Sequence, residues 1–179
     1  GGMGLTGLIY SCKFKLKSIK TDLIYQEKIK TINLQDTIKK LKQSNSWEYN
    51  VAWIDTSSIG SSIGRSIIYR GYHYGKVKKK NLKFKDKHLF KIFNIIPNWL
   101  MNNYVIKFLN NFYYLISFQT KNLISINDYF YQLDKIKNWN YLYGNKGFIS
   151  YQVVFPERSS FKGISKILDV LRENKNFSF

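Results

Sequence analysis

Apolar and polar residues alternate along Gly147–Pro156, GFISYQVVFP. Ile149, Tyr151, Val153 and Phe155 would share one side of a strand, and Phe148, Ser150, Gln152 and Val154 the other. The second side sets a hydroxyl beside a carboxamide in an otherwise apolar strand. That pair suits a ligand or a half-exposed sheet, and the pattern alone favours the wet face. The period then changes. From Glu157 to about Arg172, Phe161, Ile164, Ile167, Leu168 and Leu171 predict an amphipathic helix, with Pro156 ending the strand before it. The residues after Asn174 lead towards one more strand.

Earlier in the chain the two periods also take turns. Leu8, Tyr10, Cys12, Phe14 and Leu16 alternate with lysines, which predicts a strand. After a break near Ser18–Thr21, Leu23–Gln26 predicts a short strand. Asn33 is a candidate N-cap for a helix over Leu34–Lys42, where Leu34, Ile38 and Leu41 recur on one side. Trp47–Asp55 follows as a strand with Trp47, Tyr49, Val51, Trp53 and Asp55 on one face. Thr56–Gly64 is a Ser- and Gly-rich loop expected to be flexible, and Arg65–Tyr74 returns as a strand. Strand, helix, strand, strand is the opening of a split βαβ, ferredoxin-like sheet. The fold class expected is therefore α+β, an antiparallel sheet with helices packed on one face.

The later half is harder to divide. Gly75–Asp86 is basic and irregular, and Pro97 interrupts the apolar run around Phe90–Ile96. A helix is expected from Asn98 or Trp99, with Leu100, Tyr104, Phe108 and Phe112 on one face, although Tyr113–Phe118 also suits a strand. Asp128–Gly144, DYFYQLDKIKNWNYLYG, is dense in aromatics without clean periodicity, as in a stretch that lines a groove or plugs a core edge.

Composition narrows the class of protein. The 179 residues suffice for one domain with a core, and 44% hydrophobic with 17% aromatic residues excludes a disordered tail. The formal charge of +18 invites a nucleic-acid or anionic-membrane partner. Against that, lysines number 25 to 4 arginines and are dispersed, as an AT-rich coding bias produces; the one cluster is KVKKK at Lys76–Lys80. Cys12 is alone, and with His73 and His88 it forms no zinc-type ligand set, so no metal is expected. No apolar run is long enough for a membrane helix. The chain begins GGMGLTGLIY without an initiating methionine and stops at Phe177-Ser178-Phe179 as if entering a strand, so it is expected to be a piece of a longer protein.

Reactive groups are scarce. No G-x-S-x-G elbow is present, and Asp55, Asp134 and Glu157 have no evident partner for acid/base work. Gly1, Gly2, Gly4 and Gly7 do not make a G-x-G-x-x-G fingerprint, which leaves Gly2, Met3 and Gly4 as weak cofactor-contact candidates. By its residues the chain is a binding or lid domain without a reactive group of its own.

Several segments together resemble one family. They are GMGLTGLI, VAWID at Val51–Asp55, Gly64-Arg65, PNWL at Pro97–Leu100 and QLDKIKNWNYLYGNKGFISYQVVFP, collinear across nearly all of the chain. The family is the FAD-dependent oxidases similar to decaprenylphosphoryl-β-D-ribose oxidase, within the vanillyl-alcohol-oxidase superfamily. The resemblance implies that residues 1–18 are the last strand of an FAD-binding domain. It makes 19–179 a truncated substrate domain whose sheet covers the flavin. It implies oxidation of a sugar hydroxyl to a ketone in a cell-wall precursor pathway, with hydride passing to FAD that is held mainly by a missing domain. No catalytic residue falls in this stretch, so the fragment alone is expected to be inactive. Carried over by position, Trp53, Phe130, Leu133, Ile136, Ser150 and Gln152 become substrate-pocket residues, with Ser150 and Phe130 departing from the glutamine and tyrosine of close relatives. Those departures leave the exact sugar or lipid carrier open. The resemblance further implies a lipid-linked sugar as partner, a reductase completing an epimerisation, no nucleic acid, and a cytoplasmic or membrane-peripheral location. The competing reading is a basic α+β module that binds RNA or anions through KVKKK and exposed aromatics.

Overall fold

A computed structural model describes residues 4–75, 90–91, 102–141 and 150–178. The first strand, β1 (Leu23–Thr31), is longer than the apolar alternation predicts. Its ladder to the later strand Ser66–His73 runs from Ile24↔His73 to Thr31↔Ser66 and carries the polar half along. Lys28 and Lys30 remain in it by laying their ammonium groups over rings, 5.4 Å from Tyr69 and 4.2 Å from Tyr114. Helix α1 (Leu34–Gln43) starts as the sequence predicts. Asn33 Oδ1 accepts from the Asp36 N–H at 2.9 Å, and Asp36 Oδ2 accepts from the Ile32 N–H at 3.1 Å, a reciprocal cap.

Next come β2 (Tyr49–Ile54), β3 (Ser66–His73) and the two-residue β4 (Phe90–Lys91). They are followed by α2 (Asn103–Ile116), β5 (Thr120–Ser125), α3 (Ile126–Phe130), β6 (Ile136–Lys137) and α4 (Glu157–Glu173). One sheet has the order β2-β3-β1-β5, every pair antiparallel, and β4 pairs with β6 in parallel. The expected α+β class and the split βαβ order are both present. Tyr113–Ile116 belongs to the helix, and the fourth strand comes just after it, in a segment (TKNLIS) too polar to announce itself.

Register decides what each sheet face carries. Opposed residues share a face, so Tyr49, Val51 and Trp53 of β2 lie with Ile67, Tyr69 and Gly71 of β3 and with Ile24 and Lys28 of β1. Ile24, Ile67, Tyr69 and Tyr129 form the buried centre of this side, packed by Tyr113 and Tyr114 of α2. Gly71 is required there, because a Cβ would stand 2.8 Å from Ile24 Cγ2 and 3.0 Å from Tyr129 Cε2. The opposite face meets α1 through hydroxyls. Thr31 and Thr37 share a hydrogen bond of 2.6 Å, and Thr37 also reaches Ser66 Oγ at 3.1 Å. Helices, expected on one face, thus serve both.

Five expectations change. Residues 7–19 lie outside every strand, with Leu8 95% and Tyr10 96% exposed, since no ladder partner is present for them among the described residues. The described part of the organising segment, Ser150–Phe155, also lies outside every strand, and so do residues 174–178. Trp47 leaves the face of Tyr49, stacks with Tyr25 and meets the Tyr72 ring at a tilt. The loop at Thr56–Gly64 is pinned rather than loose. Asp55 Oδ1 accepts from the Ser57 N–H at 2.9 Å and from Ser57 Oγ at 2.6 Å, and the Gly64 N–H donates to Ser58 Oγ at 3.2 Å. Gly2, Met3, KVKKK, Pro97–Leu100 and Gly147–Ile149 lie outside the described residues.

Candidate functional site

The alternation of β2 places Tyr49, Val51 and Trp53 on one side of a strand at the edge of the sheet. Across from them, Ser125 caps α3 by accepting from the Asp128 N–H at 3.0 Å, which fixes where the helix begins. Tyr129 then drops into the core and donates to the Tyr69 carbonyl at 3.2 Å. Phe130 meets the Tyr49 ring edge-on, centroids 5.0 Å apart. Between strand and helix opens a cleft of about 780 Å³, reached also by Tyr131, Leu133 and Trp139.

Its walls are aromatic and its mouth is polar. Trp53 stands edge-on to Tyr113 at 5.0 Å, and Tyr113 shares a hydroxyl hydrogen bond with Tyr69. Burial, then that partner, pushes the Tyr69 hydroxyl up. At the mouth Glu48 accepts from the Lys17 ammonium and, at 3.1 Å, from the His73 N–H. Partial burial would raise the Glu48 carboxyl, but Lys17, the His73 N–H and the Tyr49 hydroxyl outweigh it and hold it at about 2. Tyr49 is pushed up to about 12 by burial and by Glu48, and Tyr129 to about 12 by burial and by Tyr49. At neutral pH the cleft therefore presents the protonated phenols of Tyr49, Tyr69 and Tyr129 and the ionised carboxylate of Glu48. It can stack on a ring and accept hydrogen bonds from hydroxyls, but none of the described residues lining it is poised as a nucleophile.

Three of the six pocket residues expected from the sequence, Trp53, Phe130 and Leu133, line this cleft. Ile136 is half-buried in β6, outside the lining, and Ser150 and Gln152 are exposed away from it. Gly4 is exposed with open space where a Cβ would be. Glu48, Tyr49, Tyr129 and Trp139 are cleft residues that the sequence reading did not single out as ligand contacts. The signal for them was present in the alternation of β2 and in the aromatic density after Asp128.

A second, smaller hollow of about 170 Å³ lies by Asp55, Ser57, Ser58 and Arg65. Asp55 is buried there, and Arg65 Nε donates to its Oδ2 at 2.9 Å. Arg65 also reaches Asn111 Oδ1 at 2.9 Å, so this network ties the loop to α2. It answers the apparent lack of a partner for Asp55 with a structural one. Glu157 pairs at the surface with Lys42, 3.2 Å away. Among the described residues no three His, Cys, Asp or Glu side chains group as metal ligands.

No family model matches the chain. A curated relative does. Decaprenylphosphoryl-β-D-ribose oxidase of Mycolicibacterium smegmatis is 29% identical over 188 residues, which take in all of this chain and 41% of that protein. The chain is distantly related to an oxidase. It spans 41% of the length of that relative, and the matched stretch of this chain includes both walls of its cleft. Among the described residues no helix is long and apolar enough to cross a membrane.

Proposed function

We propose that this chain is the substrate-covering part of an oxidoreductase that converts a sugar hydroxyl, free or carried on a polyprenyl phosphate, into a ketone, with FAD as the acceptor. One observation carries the reading. Trp53 and, far from it in sequence, Phe130 and Leu133, the residues set apart by the family resemblance, lie on the walls of a single cleft. The similarity to an oxidase along the whole chain supports the reaction class.

The cleft suits the ring end of such a system better than the dinucleotide end. Its volume falls within the roughly 300–1,000 Å³ of small-molecule sites, and its aromatic walls can cover a planar ring. A pyrophosphate calls for converging backbone N–H groups at a helix start, whereas Gly4 stands exposed with nothing around it. Trp53, Phe130 and Leu133 would therefore cover the flavin ring and the sugar, with the rest of the cofactor held elsewhere in a longer protein. A bound flavin supplies acceptance of the hydride that leaves the sugar carbon. The work of this chain is to exclude water with its aromatic wall and to orient the sugar. Glu48, ionised at the mouth, keeps lone pairs free for sugar hydroxyls. Ser150 and Gln152 enter this reading on the resemblance alone. A reductase acting on the ketone would complete an epimerisation.

The test is anaerobic bleaching of the flavin absorbance when the full chain, as its gene encodes it, is mixed with a polyprenyl-phosphoryl pentose. Phe130 and Leu133 are 46% and 52% exposed, so truncating either should leave the fold intact. Phe130→Ala and Leu133→Ala should each slow bleaching about tenfold while the resting spectrum is unchanged. Wild-type rates in both would overturn the assignment of the cleft, and a protein that carries no flavin would overturn the class. In the same assay a slower Gln152→Ala brings residue 152 to the substrate, and an unchanged one leaves it on the surface.

A further inference from the structure

We infer that the small hollow beside Asp55 is a binding site for a phosphate group. The network around Asp55 is complete in itself, and it leaves donors over. Asp55 Oδ1 accepts from the Ser57 N–H and hydroxyl, and Oδ2 faces Arg65, whose Nε and Nη2 stand 2.9 and 2.7 Å away. With its side chain 0% exposed, this carboxylate has no position left for a cation or a sugar hydroxyl. Asn111 gives only its Oδ1 to Arg65, so its Nδ2 remains a donor in the wall of the hollow. Ser62 Oγ and the Lys107 ammonium line the same space, and among the described residues neither has a hydrogen-bond or ion-pair partner.

The donors left over select an oxyanion. They are an ammonium, an amide and a hydroxyl, contributed by α2 on one side and the serine loop on the other. Asp55 balances Arg65, so the positive charge comes from Lys107, and α2 holds no Asp or Glu to oppose it. A volume of about 170 Å³ has room for about five waters, or for one phosphate group that displaces most of them. The pinned loop shapes the hollow before anything binds, so binding costs no loop ordering. The hollow is also a neighbour of the cleft. The Asp55 N–H, bonded to the Arg65 carbonyl at 3.0 Å, continues β2 two residues beyond Trp53, which puts both side chains on one side about 7 Å apart along the strand. Helix α2 spans the two, with Tyr113 against Trp53 and Lys107 and Asn111 at the hollow. A free phosphate would satisfy these donors. On the oxidase reading, on which this assignment of the source rests, so would the phosphate that joins a pentose in the cleft to its carrier.

The full chain is to be dialysed to equilibrium against labelled inorganic phosphate at constant ionic strength. Wild type should bind it saturably. Lys107→Ala should weaken binding about tenfold and Ser62→Ala about threefold, with unchanged circular dichroism spectra, since neither side chain belongs to the Asp55 network. Lys39→Glu, exposed on α1, changes the net charge as Lys107→Glu does and should bind as wild type, whereas Lys107→Glu should not bind. Anaerobic flavin bleaching by a pentose 1-phosphate and by the free pentose then identifies the source. A KM that Lys107→Ala raises about tenfold for the phosphate alone, at unchanged kcat, assigns the hollow to the substrate; equal KM values assign it to free phosphate. Dialysis does not involve the flavin, so a chain that binds phosphate but carries no flavin overturns the oxidase reading and keeps the hollow. Wild type without saturable binding, Lys107→Glu that binds as wild type does, or equal losses in Lys107→Glu and Lys39→Glu would each overturn the inference.

Discussion

Glu48 shows how much a single side chain at the cleft mouth depends on its neighbours. In an unfolded chain its carboxyl titrates near 4.5, and in the fold it is held at about 2 by Lys17 and the His73 N–H. The folded value lies below the unfolded one. Its stabilising effect is therefore fully present above pH 4.5 and is lost as the pH falls towards 2. Melting temperatures of wild type and Glu48→Gln should differ at neutral pH and converge across that window; a constant difference would show that Glu48 is not so held. Arg65 presents a harsher case. It donates to Asp55, whose side chain is 0% exposed, so Arg65→Met strands a buried carboxylate and should cost about 3–5 kcal/mol in urea unfolding. Arg70→Met should cost less, because its partner Glu27 keeps Lys121 at 3.1 Å.

At the scale of elements, joints rather than strands hold the cleft open. Gly64 sits between the pinned serine loop and β3 with φ +72, and a Cβ there would come within 2.7 Å of Leu34 Cβ on α1. Gly64→Ala therefore combines a strained backbone with a collision and should destabilise by roughly 2–4 kcal/mol, read as a lower urea midpoint at unchanged m. Helix α3 is only five residues long and holds its place through the Ser125 cap and the Lys135–Asp128 ion pair at 2.8 Å. Through that short helix Tyr129 reaches the core and Phe130 the cleft. A helix so short is marginal by itself, and its position comes from Tyr129 packing under β3.

Across the whole molecule order is concentrated in the sheet centre. β1 and β3 each have strands on both sides, and Ile24, Ile67 and Ile68 are completely buried. Residues 5–18 by contrast are exposed and lie outside any ladder. Amide hydrogen exchange should thus be slowest in Ile24–Ile29 and Ile67–Tyr69 and fast throughout 5–18. Protection of the first segment equal to that of β1 would mean that a partner strand reaches it.

How much of this was legible in the chain follows from which interactions are local. The N-cap at Asn33, the helix begun at Glu157 and the alternation of Tyr49, Val51 and Trp53 come from backbone geometry and neighbouring residues, so the sequence alone determined them. β5 was hidden because TKNLIS is polar and becomes a strand only by pairing with β1. The alternation at Gly147–Pro156 pointed the other way: period two is necessary for a strand but does not supply a ladder, and Ser150–Phe155 has none. The cleft lay between these cases. Trp53, Phe130 and Leu133 could be named from a resemblance, but only the tertiary structure set them facing one space, and only it left Ser150 and Gln152 outside. Which residues share a face is written in sequence spacing; which faces meet depends on contacts between distant segments, which spacing does not encode.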